Sequence, residues 1–357
     1  MIRTILVASA LLLSVLPRPG FAADSDLVQF TRAGRVHTGL SLARNPSTWC
    51  ILGTDGQLHY LQDASTLNEV KAIEGEFSPA SAMEVRGSLI REFGPAFEVV
   101  ATKHFLVVQP AGRGTKWPQT FEQLHLQFTH QLKQRGVHVR TGKFTMVAVV
   151  LPDRAALHAE LDRQKIDRGS IAGIYINNSN RVYTYDSGDN RFTASILRHE
   201  AAHQSAFNSN IHSRLNETPK WITEGLGMLF ESAAMVDGRT SGASQRAHAE
   251  AASQLLGRYA RSPQSVEQDI HRLIAEDEKF SQSREIQDAY HVSWLMMFYL
   301  SERRPKAFAE LLNHTASRAP FNDYPREERL ADFERITGQS VDQFAVDAGR
   351  FLESIAR

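Results

Sequence analysis

The residues best suited to chemistry in this 357-residue chain are His199-Glu200-Ala201-Ala202-His203. The run lies inside a helical pattern, and on a helix residues four apart share one face. Both imidazoles can then reach a single metal ion. Glu200 projects about 100° around the helix from His199, so it flanks the pair and meets metal-bound water without being a ligand. Two neutral nitrogen ligands with a base beside them form the arrangement by which zinc activates water. Chance yields such a run in a chain of this histidine content on the order of a few per cent of the time. Two solvated histidines on one helix would account for that case.

Downstream residues sharpen the expectation. Thr218-Pro219-Lys220-Trp221-Ile222-Thr223-Glu224-Gly225 opens a second helix, with Thr218 as N-cap and Pro219 at the first helical position. Glu224 follows His203 by 21 residues, enough for a loop and a returning helix that delivers a carboxylate as third ligand. Two histidines and a glutamate leave a fourth position open for water, which distinguishes a catalytic zinc site from a structural one. The alternative is that Glu224 only favours the start of its own helix. Gly225 and Gly227 each cost about 1 kcal/mol relative to Ala inside a helix, which close packing against the metal-bearing helix would explain.

His-Glu-Ala-Ala-His-Gln followed by Pro-x-Trp-Ile-x-Glu-Gly-Leu resembles the gluzincin class of zinc metallopeptidases, and more narrowly secreted bacterial gluzincin-like proteins of uncharacterised function. The resemblance runs from about residue 92 to 300. It takes in Phe93-Gly94-Pro95-Ala96-Phe97-Glu98-Val99, Ala172-Gly173-Ile174-Tyr175 and Tyr290-His291-Val292-Ser293-Trp294. It implies one zinc per chain held by His199, His203 and Glu224, with Glu200 as catalytic base. Some gluzincins place an acidic residue four positions beyond the glutamate ligand, where it orients a histidine. Met228 stands there in this chain, so that support must come from elsewhere. The resemblance also implies a tyrosine near position 290. Tyr290 is therefore the candidate hydrogen-bond donor to the oxyanion, against the alternative of a core tyrosine with a satisfied hydroxyl. His291 would point about 100° away and is the weaker substitute.

The elements that must position these groups read as an α+β fold. Residues 24–82 form a small β module, with strands at 34–40, 49–52 and 57–61 and a Thr54-Asp55-Gly56 hairpin signal. Residues 86–357 form the gluzincin-like domain, in which a zincin-like α/β part (86–190) and a mostly helical part (191–357) enclose a zinc cleft. Within the α/β part, 97–108 is β-rich and 144–151 is a nearly continuous apolar strand. Helices are expected at 121–135 and at 153–164, with Asp153 near the start of the second. Strands 173–176 and 181–185 flank an Asn177-Asn178-Ser179-Asn180 turn. The first of these is a candidate edge strand above the cleft, to which an extended peptide could add; an ordinary hairpin strand is the alternative. Helices follow at 193–208 with Thr193 as N-cap, 219–234, 245–259, 284–302, 305–314 and 341–355. The polar stretch 262–283 reads as a mobile connection or short helix. His212, between the two zinc-site helices, reads as a solvated loop residue with substrate contact as the alternative, and His248, His271 and His314 read as surface residues.

Arg3, an apolar stretch over residues 5–16, Pro17, Pro19 and Gly20-Phe21-Ala22 form a signal-peptide pattern over residues 1–22. The apolar stretch is too short to span a bilayer. The expected setting is therefore periplasmic or extracellular. Cleavage removes Arg3 and Arg18, two of 40 basic residues against 40 acidic ones, leaving a formal charge of −2. This balance offers no electrostatic footprint for nucleic acid or a polybasic membrane patch. Cys50 is the single cysteine, which excludes an intrachain disulfide and Cys-rich zinc sites and suits a buried small hydrophobe. There is no Gly-x-Ser-x-Gly elbow, phosphate-binding loop or dinucleotide fingerprint. The sequence thus predicts an exported zinc metallopeptidase-like hydrolase acting on peptide or protein. The alternatives are a zinc hydrolase of another amide, and a non-catalytic zinc-containing envelope binding or scaffold protein.

Overall fold

A computed structural model describes residues 27–32, 34–169, 171–237 and 242–355. The expected signal peptide lies outside the described residues. Among the described residues the chain forms two five-stranded sheets followed by a helical region. No helix there is long and apolar enough to cross a membrane.

The first sheet is antiparallel. It contains β1 (Leu27–Arg32), β2 (Arg35–Arg44), β3 (Trp49–Gly53), β4 (Leu58–Leu61) and β5 (Lys71–Ala72), in the order β4-β3-β2-β1-β5. A short helix, α1 (Ala64–Asn68), precedes β5. Val28, Phe30, Ile51 and Leu61 form its small core, and Cys50 is fully buried as expected. Arg214, from the α5–α6 connection described below, ties this module to the rest. Its guanidinium donates to the carbonyls of Gly56, at 2.8 Å, and Asn177, at 2.5 Å. It thus clamps the module against the 177–180 turn, while Leu58 N donates to Asn178 O at 2.8 Å.

Next come α2 (Ala82–Phe93), β6 (Phe97–Ala101), β7 (Phe105–Pro110), α3 (Lys116–Gln134), β8 (Met146–Leu151), α4 (Arg154–Arg163), β9 (Gly173–Ile176) and β10 (Arg181–Tyr185). The β-rich stretch 97–108 is two strands rather than one, because it turns back at 102–104, where Thr102 N donates to Phe105 O at 2.8 Å. The sheet order is β6-β7-β8-β10-β9, with β7, β8 and β10 parallel and the outer strands antiparallel. Met146, Ala148 and Val150 face the main core with Phe121 and Phe128 of α3. Val147, Val149 and Leu151 face the opposite layer, with Leu89 of α2 and Leu157 and Leu161 of α4. A strand covered on both sides must be apolar at every position, which is why β8 reads as a continuous run. Asp153 caps α4, accepting from Ala156 N at 2.8 Å.

The helical region holds α5 (Asn190–Asn208), α6 (Lys220–Glu231), α7 (Ala233–Val236), α8 (Ala243–Arg246), α9 (Ala249–Arg261), α10 (Pro263–Ala275), α11 (Ile286–Arg303), α12 (Pro305–Ala316), α13 (Arg326–Thr337) and α14 (Val341–Ile355). Two local expectations are corrected here, and one open alternative is decided. The N-cap of α5 is Asp189, which accepts from Arg191 N and Phe192 N. Thr193 lies inside the helix, its hydroxyl bonded to Ser187. At α6, Pro219 occupies the cap position and Thr218 makes no cap bond; instead Asp277 accepts from Lys220 N at 2.9 Å. The stretch 262–283 takes the helical of its two alternatives, not the mobile connection. It holds α10, with Pro263 at its start and Val266, Ile270, Leu273 and Ile274 buried along one face. Its polar look arises partly from Asp269 and Lys279, buried as a mutual ion pair that Arg258 joins at 2.8 Å.

Candidate metal centre

The site is built where α5, α6 and α11 meet beneath the edge strand β9. His199 and His203 lie one turn apart on α5, both buried. α6 returns across them, so that Glu224 faces the pair. The Nε2 atoms of the two histidines are 2.9 Å apart, and Glu224 Oε2 lies 3.3 Å from that of His199 and 3.4 Å from that of His203. Ligand atoms about 2.05 Å from one tetrahedral zinc are separated by about 3.3 Å. The observed triangle is therefore close to one face of such a polyhedron. Among the described residues this is the set of three groups arranged to hold a metal ion.

The two glycines explain how the helices approach so closely. A Cβ on Gly227 would lie 2.8–3.1 Å from three atoms of the His199 ring, so this glycine packs against His199 itself, on the helix expected. Gly225 departs from that expectation. Its Cβ would meet Ser293 O at 2.5 Å and Met297 Cγ at 2.6 Å, so it admits α11, not the metal-bearing helix.

His199 Nδ1 lies 2.7 Å from Glu231 Oε1. A carboxylate only accepts, so Nδ1 carries the proton and Nε2 turns its lone pair toward the triad. Glu231 is the orienting acid whose expected place is filled by Met228, a core residue. It follows Glu224 by seven positions, two turns onward and within about 20° of the same helix face. Glu224 and Glu231 are the only acidic residues of α6, so a search at seven as well as four positions would have found it. Arg198 donates twice to Glu231 O, at 2.8 and 2.6 Å, closing the C-terminal end of α6 onto α5.

The electrostatics favour a cation at this point. Burial works against charge on His199, but hydrogen bonds to Glu224 and Glu231 outweigh it and raise its pKa well above the ordinary value. Carboxylates that favour a proton there also favour a metal ion that competes with it. Burial pushes Glu224 the other way, yet His203 and His199 hold it well below the usual carboxylate range. Glu231 is likewise lowered, to about 2, as hydrogen bonds from His199 and His248 overcome its burial.

Glu200 lies buried beside the triad, under β9. Desolvation raises its pKa, against the pull of the two histidines. Gly173 makes room for it: a Cβ there would lie 2.9 Å from Glu200 Cγ. Tyr290, on α11, is half-buried. Its ring centroid is 6.1 Å from that of His199. Burial and the Glu224 and Glu200 carboxylates push its phenol far up, so it stays protonated. The structure thus brings together His199, His203, Glu224, Glu200 and Tyr290. His291 lies apart, bonded to Gln287 at 2.8 Å.

Three other histidines differ from expectation. His212 is not solvated; it is fully buried, its ring against Phe207, with neither nitrogen hydrogen-bonded. Burial, with His203 nearby, pushes it down to about 3. His248 is not a surface residue either, since it contacts Glu231 at 3.1 Å. His314 is half-buried and bonded to Asp332 at 2.8 Å.

A family model named DUF1570, described as a protein of unknown function, matches residues 193–322. That span contains His199, His203, Glu224, Glu231, His248 and Tyr290. No curated protein matches the chain.

Proposed function

We propose that the chain is an exported, periplasmic or extracellular, zinc-dependent hydrolase of the gluzincin metallopeptidase type, cleaving peptide amides. His199, His203 and Glu224 would hold the ion, a nitrogen and oxygen donor set that suits zinc. Bound there, zinc would supply Lewis-acid polarisation and a water of lowered pKa.

The observation that carries the reading is the placement of Glu200. It is a buried carboxylate beside three convergent ligand atoms, with a pKa raised by desolvation. A structural metal site has no use for such a base. Glu200 takes the proton from the attacking water and returns it to the leaving amine. The Tyr290 phenol, kept protonated by its surroundings, donates a hydrogen bond to the developing oxyanion. β9 is the outermost strand of its sheet and passes over Glu200. An extended substrate backbone can add to its free edge.

The test compares zinc-loaded wild-type protein with Glu200→Gln on a diverse peptide library, with zinc content measured in both. Cleavage by the wild type and a loss of about 10²–10⁴-fold in the variant at equal zinc is the expected result. Two zinc-loaded proteins with equal background activity would remove the hydrolase reading and leave a non-catalytic zinc-containing envelope protein.

A further inference from the structure

We propose that His248 is a positioning residue for the metal centre, acting through Glu231 on His199. The inference rests on the reading of His199, His203 and Glu224 as a zinc site, and adds to it a residue contributed by a helix that supplies no ligand.

His248 stands at the N-cap of α9, and its Nδ1 accepts from Ala251 N at 3.2 Å. An imidazole nitrogen that accepts a backbone N–H carries no proton. The neutral ring is therefore the Nε2–H tautomer, with its donor fixed on the opposite edge. That edge faces Glu231 Oε2 at 3.1 Å, while Glu231 Oε1 accepts from His199 Nδ1 at 2.7 Å. Ser195, on α5, places its hydroxyl 3.4 Å from the same Oε2. One carboxylate thus has each oxygen taken by a different imidazole, and a chain of directed bonds runs from a helix cap on α9 to the ligand on α5. The His248 ring is kept from swinging away by Trp294, 6.3 Å between centroids and fully buried.

Without His248, only the Ser195 contact among these side chains would remain on Oε2. The carboxylate could then rotate about its terminal torsion, which is broad and roughly two-fold. Rotation would loosen the bond that sets the tautomer and direction of His199. Outer partners of this kind act on metal affinity and release rather than on the fold.

His248 has two roles, and two substitutions separate them. His248→Asn keeps an acceptor near the Nδ1 position, in a residue favoured at N-caps, but is too short to reach Glu231. His248→Gln keeps a donor near the Nε2 position but loses the cap acceptor. In full-length protein, zinc affinity is measured by competition with a chromophoric chelator, zinc release by stopped-flow, and thermal stability in the metal-free form. The Asn variant is expected to match the wild type in metal-free Tm, bind zinc about three- to tenfold more weakly and release it faster. The Gln variant is expected to have a lower Tm and zinc affinity within about twofold of the wild type. Wild-type zinc affinity in the Asn variant, or affinity that follows Tm across both variants, would overturn the inference. A wild-type protein that binds no zinc overturns the metal reading first, and is distinguishable because it precedes any comparison of variants.

Discussion

Replacing Gly227 with alanine separates the metal site from the fold with a single methyl group. The new Cβ would lie 2.8 Å from His199 Cε1, 2.9 Å from Nε2 and 3.1 Å from Nδ1, where ordinary contact begins at 3.4 Å. The ring must therefore retreat by about 0.6 Å, or the two helices part by as much. Metal–ligand distances tolerate about 0.2 Å, and Glu231 restrains the ring from the Nδ1 side at 2.7 Å. Zinc affinity is expected to fall by about tenfold or more, roughly 1.4 kcal/mol. Helix propensity acts in the opposite direction, since alanine is favoured over glycine by about 1 kcal/mol in a helix interior. Overpacking against the ring costs about 1–3 kcal/mol, which this propensity gain partly offsets, so the metal-free variant should lose no more than about 2 kcal/mol. A chelator-competition titration and urea unfolding of the metal-free protein measure the two quantities separately. Gly225→Ala serves as the contrast: its Cβ meets Ser293 O and Met297 Cγ, so it should lower stability at the α6–α11 contact without pressing on the ring. A folded Gly227→Ala protein with wild-type zinc affinity would refute the reasoning.

Two further outcomes follow from the same geometry. Glu231→Gln replaces an acceptor-only group with one that can present an N–H to His199 Nδ1, and zinc affinity should fall by about 10–100-fold while circular dichroism stays unchanged; equal affinity would remove Glu231 from the centre. His212→Phe tests a buried imidazole with no partner on either nitrogen, where leaving a polar group unsatisfied costs about 1–3 kcal/mol. Its folded pKa is pushed down to about 3 from an ordinary 6.5, so between these values the unfolded chain binds more protons. The stability tied to the neutral ring is fully present above pH 6.5 and declines as pH falls through that window. Urea midpoints of the metal-free variant should therefore be equal to or above wild type at pH 7 and fall less between pH 7 and 5. A steeper fall would contradict the burial argument.

The parts of this molecule legible in the sequence were those governed by local periodicity. β8 announced itself because both its faces are covered, and the β9–β10 hairpin because Asn177-Asn178-Ser179-Asn180 is turn chemistry, with Asn180 in the left-handed region at φ 56°. The i, i+4 pair on α5 was legible for the same reason, since spacing on a helix fixes a face, and Glu224 because 21 residues leave room for a loop and a returning helix. What failed was whatever depended on partners distant in sequence. α10 is one of two readings of 262–283 in the sequence because Asp269 and Lys279 look like surface residues until each is seen to neutralise the other. The cap of α6 was misread because its first free N–H goes to Asp277, 57 positions away. His248 looks like a surface histidine in the sequence because Glu231 reaches it only after α6 and α9 have each packed against α11. Glu231 itself is legible in the sequence, two turns beyond Glu224 on the same face, at a spacing of seven where the family resemblance points to four.

The most direct test of the account is the zinc content of the purified protein after reconstitution in excess zinc and exhaustive desalting, read by elemental analysis beside His203→Ala and Glu224→Ala. The account predicts close to one zinc per wild-type chain and a large loss in both variants, with their folds retained. A folded wild-type protein that emerges without zinc, or variants that keep it in full, would contradict the assignment of His199, His203 and Glu224 as one metal site.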